Sequence, residues 1–156
     1  DVSPFSGRRS EKLFKIALGV SALLLDQLSK LLVLKKLPYG YSLPIIPGFL
    51  YITPTENKGI AFGAFSYLDS LFLSLISLAV VALLLYFWHQ HSPYLYLIIG
   101  GALGNIVDRV RLGYVLDFIN IHYWPVFNVA DICIFLGVIL TIISVAFKKG
   151  GEENIL

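Results

Sequence analysis

NVADICIFLGVILTIISVAF, residues 128–147, decides the fold. From Ile132 to Phe147 no residue is charged, and the run from Val129 to Phe147 is long enough to cross about 30 Å of hydrocarbon at about 1.5 Å per residue. A carboxylate, Asp131, nevertheless sits in the first turn of this apolar helix. Asn128, three residues earlier, is placed to cap the helix, and Asp131 meets the favourable end of the helix dipole. Capping accounts for Asn128 and for only part of Asp131, because a second acid, Asp117, stands close by in equally apolar surroundings.

Working outward, three more stretches approach spanning length: Leu13 to Leu34, Leu71 to Trp88, and Tyr94 to about Val110. Of the 156 residues, 57% are hydrophobic and 14% charged, with mean hydropathy +0.79, far above what a soluble core of this size requires. In lipid the backbone must satisfy itself, so continuous apolar runs mean helices. The expected fold class is an all-α membrane protein with four transmembrane helices, forming one integral membrane domain. The lead-in DVSPFSGRRSEK before the first run reads as the flank of an uncleaved anchor, since that run carries Asp26 and Lys30 and ends without a small-x-small cleavage site. Net charge is only +2, which argues against nucleic acid as a partner, and the single cysteine, Cys133, excludes an internal disulfide or a cysteine metal cluster.

Between the first two spans, the outer loop of about residues 36–67 is rich in proline, glycine and aromatics, and the alternation around FLYIT suits short strands. It reads as a small folded, strand-rich element outside the membrane. The short HQHSP link between the second and third spans forces a helical hairpin, and its two histidines read as a polar loop tip. Arg8, Arg9, Lys12 and Lys15 before the first span, with Lys148 and Lys149 after the fourth, favour cytoplasmic termini. That orientation puts the outer loop and the segment from about Arg111 to Asn128 together on the outer face.

Charge inside a membrane costs roughly 2.5–3.5 kcal/mol per residue at a helix centre, so each charged position needs a partner or a function. Asp26 and Lys30, one turn apart in DQLSK, suit an ion pair or a direct part in a site. In GGALGNIVDRV the glycines allow close helix approach, while Asn105 and Asp108 share a face and Arg109 follows. This group reads either as packing hydrogen bonds or as part of a site. Asp117 and Asp131 carry the sharper possibility: two carboxyl groups held together in a low dielectric cannot both ionise, and one can take a proton from water while the other donates one. Ser29, His122 and Cys133 have no nucleophile spacing, and no metal motif is present. A small proton or ion conductor, or a scaffold subunit, would also use intramembrane charges or small-residue packing.

In order along the chain, G-N-x-x-D-R, G-x-V-x-D-F and F-N-x-A-D occur between Gly104 and Asp131, with DQLSK and NKGIAF upstream. In these motifs the sequence resembles the lipoprotein signal peptidase family, signal peptidase II, over about Leu13 to Phe147. The resemblance implies an aspartic endopeptidase of the bacterial inner membrane. Such an enzyme removes signal peptides from diacylglyceryl-modified prolipoproteins, cutting before the lipidated cysteine on the outer side, with no cofactor and no metal. By position it implies Asp117 and Asp131 as the catalytic pair, supported by Asn105, Asp108, Arg109 and Asn128. Asp26 and Lys30 match the first motif, and Asn57, Gly59, Ala61 and Phe62 the loop motif, with Ile60 standing where a small residue is common. The expected partners are prolipoproteins and membrane lipids, with the enzyme itself a monomer.

Overall fold

The computed structural model describes residues 4–59, 79–83 and 92–153, together with positions 75 and 86. Side chains are described from Gly7 to Phe147 within these ranges. Among the described residues the elements follow in the order α1 (Pro4–Lys36), β1 (Leu43–Ile46), β2 (Leu50–Asn57), α2 (Leu95–Leu112), β3 (Val115–Ile121) and α3 (Val129–Glu153). Positions 75, 79–83 and 86 are helical. The rest of the Leu71–Trp88 stretch lies outside the described residues, as do the two histidines of HQHSP.

Among the described residues, α1 and α3 are long and apolar enough to cross a membrane. Their outward faces carry Leu24, Leu25, Leu28, Leu32, Phe135 and Ile142, each more than half exposed. Exposed leucines in such density are the reverse of a water-facing helix and suit a surface bathed in hydrocarbon. Between these faces the helices touch through glycine. A methyl group at Gly100 of α2 would overlap the Gly19 carbonyl oxygen of α1, and one at Gly101 would stand 2.6 Å from the Ala130 carbonyl oxygen of α3. Such close approach is how small residues hold helices together where no hydrophobic drive separates protein from solvent.

Direction along the bundle follows from the contacts. Gly19 meets Tyr96 and Gly100, Asp26 meets Gly104, and Lys30 meets Asn105 and Asp108, so α1 and α2 run parallel. At the other end of α2, Ser92 bonds Thr141 of α3, making α2 and α3 antiparallel. Gly113, at φ 80°, closes α2 by returning its N–H to the Arg109 carbonyl, 3.0 Å away, and two residues later the chain is already strand. That left-handed position is one a glycine occupies without penalty.

The sheet is antiparallel in the order β1-β2-β3. The strand expected around FLYIT lies in β2, and β1 pairs with it from the same loop. Strand β3 is an addition to the expected elements; it comes from the segment after α2 and sets Asp117 opposite Thr55, with Val115 opposite Asn57. Its first four residues are all buried, so the alternation that marks a half-exposed strand is missing from them. Helix α1 extends beyond both ends of the expected run, to Pro4 and Lys36, because a helix continues past its apolar part where side chains are polar.

Gly100→Ala should drive α1 and α2 apart and destabilise the fold by about 1–3 kcal/mol, as overpacking does, whereas Gly7→Ala, with nothing within 4 Å, should be neutral or slightly stabilising. Melting temperatures of the two variants in detergent check the contrast.

Candidate active site

Each acid reaches the site by a different local device. Asp117 is carried by β3 and is 3% exposed. Asp131 is carried by the first turn of α3, where the Asp131 N–H donates to Asn128 Oδ1 at 3.0 Å and the Asn128 N–H donates to Asp131 Oδ2 at 3.1 Å. This is a reciprocal capping box with aspartate in place of the usual glutamate, and it fixes the carboxylate relative to the helix end. The return from β3 to that cap is held by the Phe118 and Ile119 N–H groups, which donate to the Phe127 carbonyl, and by the Phe127 N–H, which donates back to Ile119.

Two asparagines join the acids. Asn128 Nδ2 donates to Asp117 Oδ1 at 2.7 Å and to Asn105 Oδ1 at 3.0 Å. Asn105 Nδ2 in turn donates to Asp131 Oδ1 at 3.0 Å. From the sheet side, Asn57 Nδ2 donates to Asp117 Oδ2 at 2.9 Å. Asn57 Oδ1 accepts the N–H of Gly59, whose φ of 94° belongs to the left-handed region, so the glycine of this motif serves a turn that orients the Asn57 amide. Burial pushes the Asp117 carboxyl up to about 6; the Asn57 amide opposes this, the charge of Asp131 adds to it, and the Asn128 amide again opposes it. Arg109 is half-buried, with the charges of Asp131, Asp117 and Asp108 acting on it.

Behind the amides lies a buried ionic triad. Lys30 Nζ is 2.8 Å from Asp26 Oδ2 and 2.8 Å from Asp108 Oδ2, and it also donates to Asn105 Oδ1 at 3.2 Å. The Lys30 side chain is 1% exposed and both carboxylates are fully buried. Gln27, absent from the sequence expectation, donates to Asp26 Oδ2, to Asp108 Oδ1 and to the Gly104 carbonyl. Its signal was available as a polar residue in an apolar run, next to Asp26. Removing Lys30 from such a buried set would leave carboxylates without a counter-charge, at a cost of about 3–5 kcal/mol.

Of the residues expected at a site, Asp26, Lys30, Asn57, Asn105, Asp108, Asp117, Asn128 and Asp131 therefore form one connected network, with Gly59 and Arg109 beside it. Ala61 and Phe62 lie outside the described residues. Cys133 is half-buried one turn into α3. Among the described residues, no group of three or more His, Cys, Asp or Glu side chains is arranged to hold a metal ion. Next to Asp131 opens a cavity of about 630 Å³, lined by Trp124, Phe127, Ile132, Phe135 and Leu136 among others. A carboxyl group at the edge of an apolar cleft suits a substrate that is greasy up to the bond where water must act.

Residues 18–147 match the family profile described as Signal peptidase (SPase) II. The chain is 40% identical over 126 residues to the lipoprotein signal peptidase of Halothermothrix orenii, covering 78% of this chain and 87% of that protein. It is 42% identical over 139 residues to the lipoprotein signal peptidase of Thermodesulfovibrio yellowstonii, covering 84% and 94%. A solved structure described as a bacterial membrane enzyme, determined in meso at 2.3 Å resolution, superposes with a TM-score of 0.74 at 32% identity, over 88% of this chain and 90% of that one. With the match running through both aspartate-bearing segments and the helices that hold them, the chain belongs to the signal peptidase II family.

Proposed function

We propose that this membrane peptidase removes signal peptides from prolipoproteins by cutting before a diacylglyceryl-modified cysteine, with Asp117 and Asp131 as its catalytic pair. Family membership carries the peptidase activity and the prolipoprotein substrate. One observation carries the assignment of the pair: the two carboxyl groups are linked through a relay of two amides, Asn128 donating to Asp117 and to Asn105, and Asn105 donating to Asp131. One carboxyl group accepts a proton from a water while the other donates one to the scissile carbonyl, without a covalent intermediate. With Asp117 raised to about 6, a proton is available to the pair near neutral pH. Asn57, Asn105 and Asn128 keep both acids in register with the peptide, and Arg109 braces the charge of the pair. Gly59, Ala61 and Phe62 contribute to binding the substrate.

The cleft beside Asp131 receives apolar parts of the substrate, where each Å² withdrawn from water is worth about 25 cal/mol. Four spans are the reading that the helix directions support. Helix α1 ends beside the sheet and α2 starts at the far end of the bundle, which a further span between them accounts for, and positions 75, 79–83 and 86 are helical. With the basic N-terminal flank in the cytoplasm, the acids open on the outer side of the inner membrane. The enzyme works as a monomer, with lipids around its apolar faces. An ion conductor would spread buried charges through the membrane depth, whereas among the described residues the buried Asp26, Lys30, Asp108 and Asp117 gather toward the sheet end of the bundle.

Asp117→Asn and Asp131→Asn should each lower cleavage of a lipidated precursor by about 10²–10⁴-fold while leaving the amount of inserted protein unchanged. Wild-type cleavage by either variant rejects the pair. Cys133→Ala should keep nearly full activity, and a dead variant would move the nucleophile to the thiol. The Asn57 amide favours ionised Asp117, so Asn57→Ala should raise the Asp117 pKa further. The limb of the kcat/KM profile that Asp117 sets should then move to higher pH, by about half a unit or more; a limb that stays or moves down removes Asp117 from the profile.

A further inference from the structure

Two backbone hydrogen bonds give the buried triad a specific task. Asp108 Oδ2 accepts the N–H of Leu116 at 3.1 Å, and Asp26 Oδ1 accepts the N–H of Ala130 at 2.9 Å. Leu116 immediately precedes Asp117, and Ala130 immediately precedes Asp131. All four groups are fully buried: Leu116, Ala130, Asp26 and Asp108 are each 0% exposed. We propose that Asp26 and Asp108, locked together by Lys30, are a paired backbone clamp that sets the separation of the two catalytic aspartates. This rests on the assignment of Asp117 and Asp131 above and adds a positioning role for residues that touch neither substrate nor reacting atoms.

The chemistry of the three side chains fits the task. A carboxylate is a strong acceptor for a buried N–H, and its second oxygen remains for the ammonium. Asp26 uses one oxygen for Ala130 and the other for Lys30. In Asp108, Oδ2 serves both Leu116 and Lys30, and Oδ1 takes Gln27. Lys30 is thus the common point through which the β3 segment and the α3 cap are referred to one another. Its third bond, to Asn105 Oδ1, also decides which way that amide faces, leaving Nδ2 toward Asp131. An ordinary structural ion pair would neutralise charge without holding the residue before each acid.

Gly104 tightens the same device. A methyl group there would overlap Asp26 Oδ2, so only glycine lets α2 pass close enough for one ammonium to reach carboxylates on two helices. Catalysis is sensitive to this kind of register, because a misplacement of about 1 Å costs on the order of 10²-fold in rate.

Backbone amide exchange of the labelled full-length protein in detergent, with kcat and KM for a lipidated precursor, tests the clamp. Asp108→Ala leaves Lys30 paired with Asp26, so the fold is retained; it should speed exchange at Leu116 by about tenfold or more with little change at Ala130. Asp26→Ala should do the reverse. Each should lower kcat by about 30-fold or more with KM within about threefold. Lys30→Met should loosen both amides at once, and if it fails to insert, the two aspartate variants decide alone. Unchanged exchange at both amides, equal loosening of both by either aspartate variant, or kcat within threefold of wild type overturns the clamp. Active Asp117→Asn and Asp131→Asn controls would instead sink the catalytic assignment, while the exchange pattern still reports on the clamp.

Discussion

The structure depends on one ammonium group buried between two carboxylates. Lys30 lies within 2.8 Å of both Asp26 and Asp108, on two helices that run side by side in the same direction. Three charges out of water are expensive, and mutual attraction alone repays that cost only when every remaining lone pair and proton finds a partner. Here the partners are found: Gln27, Asn105 and the Leu116 and Ala130 N–H groups complete the set. Satisfying the triad and building the site are therefore the same act.

Glycine is the geometric condition for that arrangement. Gly100, Gly101 and Gly104 lie along α2 where α1 and α3 come closest, and side chains there would push the charged groups apart. The apolar faces of α1 and α3 point away from this core. A bundle that places leucine outside and charge inside inverts the soluble pattern, and it does so because hydrocarbon rewards the exposed leucines and penalises any charge left facing it.

Around the triad, the aspartates are positioned by secondary-structure ends rather than by loops. Asp117 sits near the start of a strand entered directly from a glycine-capped helix, and Asp131 sits in a capping box. Both devices are short and rigid, which suits the proposed pairing of the two carboxyl groups. The amides between them donate and accept at once, so Asn105 and Asn128 hold both acids without adding charge.

Much of this was legible in the residues themselves. Uncharged length marked α3, the cost of intramembrane charge marked Asp26, Lys30, Asp108 and Asp131, and ordered motifs marked the family. Strand β3 was not legible, because a strand buried on both faces lacks the alternation that betrays one, and its pairing with β2 joins residues about 60 positions apart. The backbone clamps were hidden for a related reason. Sequence spacing reports neighbours within a helix or strand, as it did for Asp26 with Lys30 and Asn128 with Asp131. Only the packing of α1 against α2, and of both against the start of α3, decides that Asp26 meets Ala130 and that Lys30 meets Asp108. The chain dictates which groups cannot be left alone in hydrocarbon, and tertiary structure chooses the partner each one takes, because that choice turns on distances of closest approach between helices.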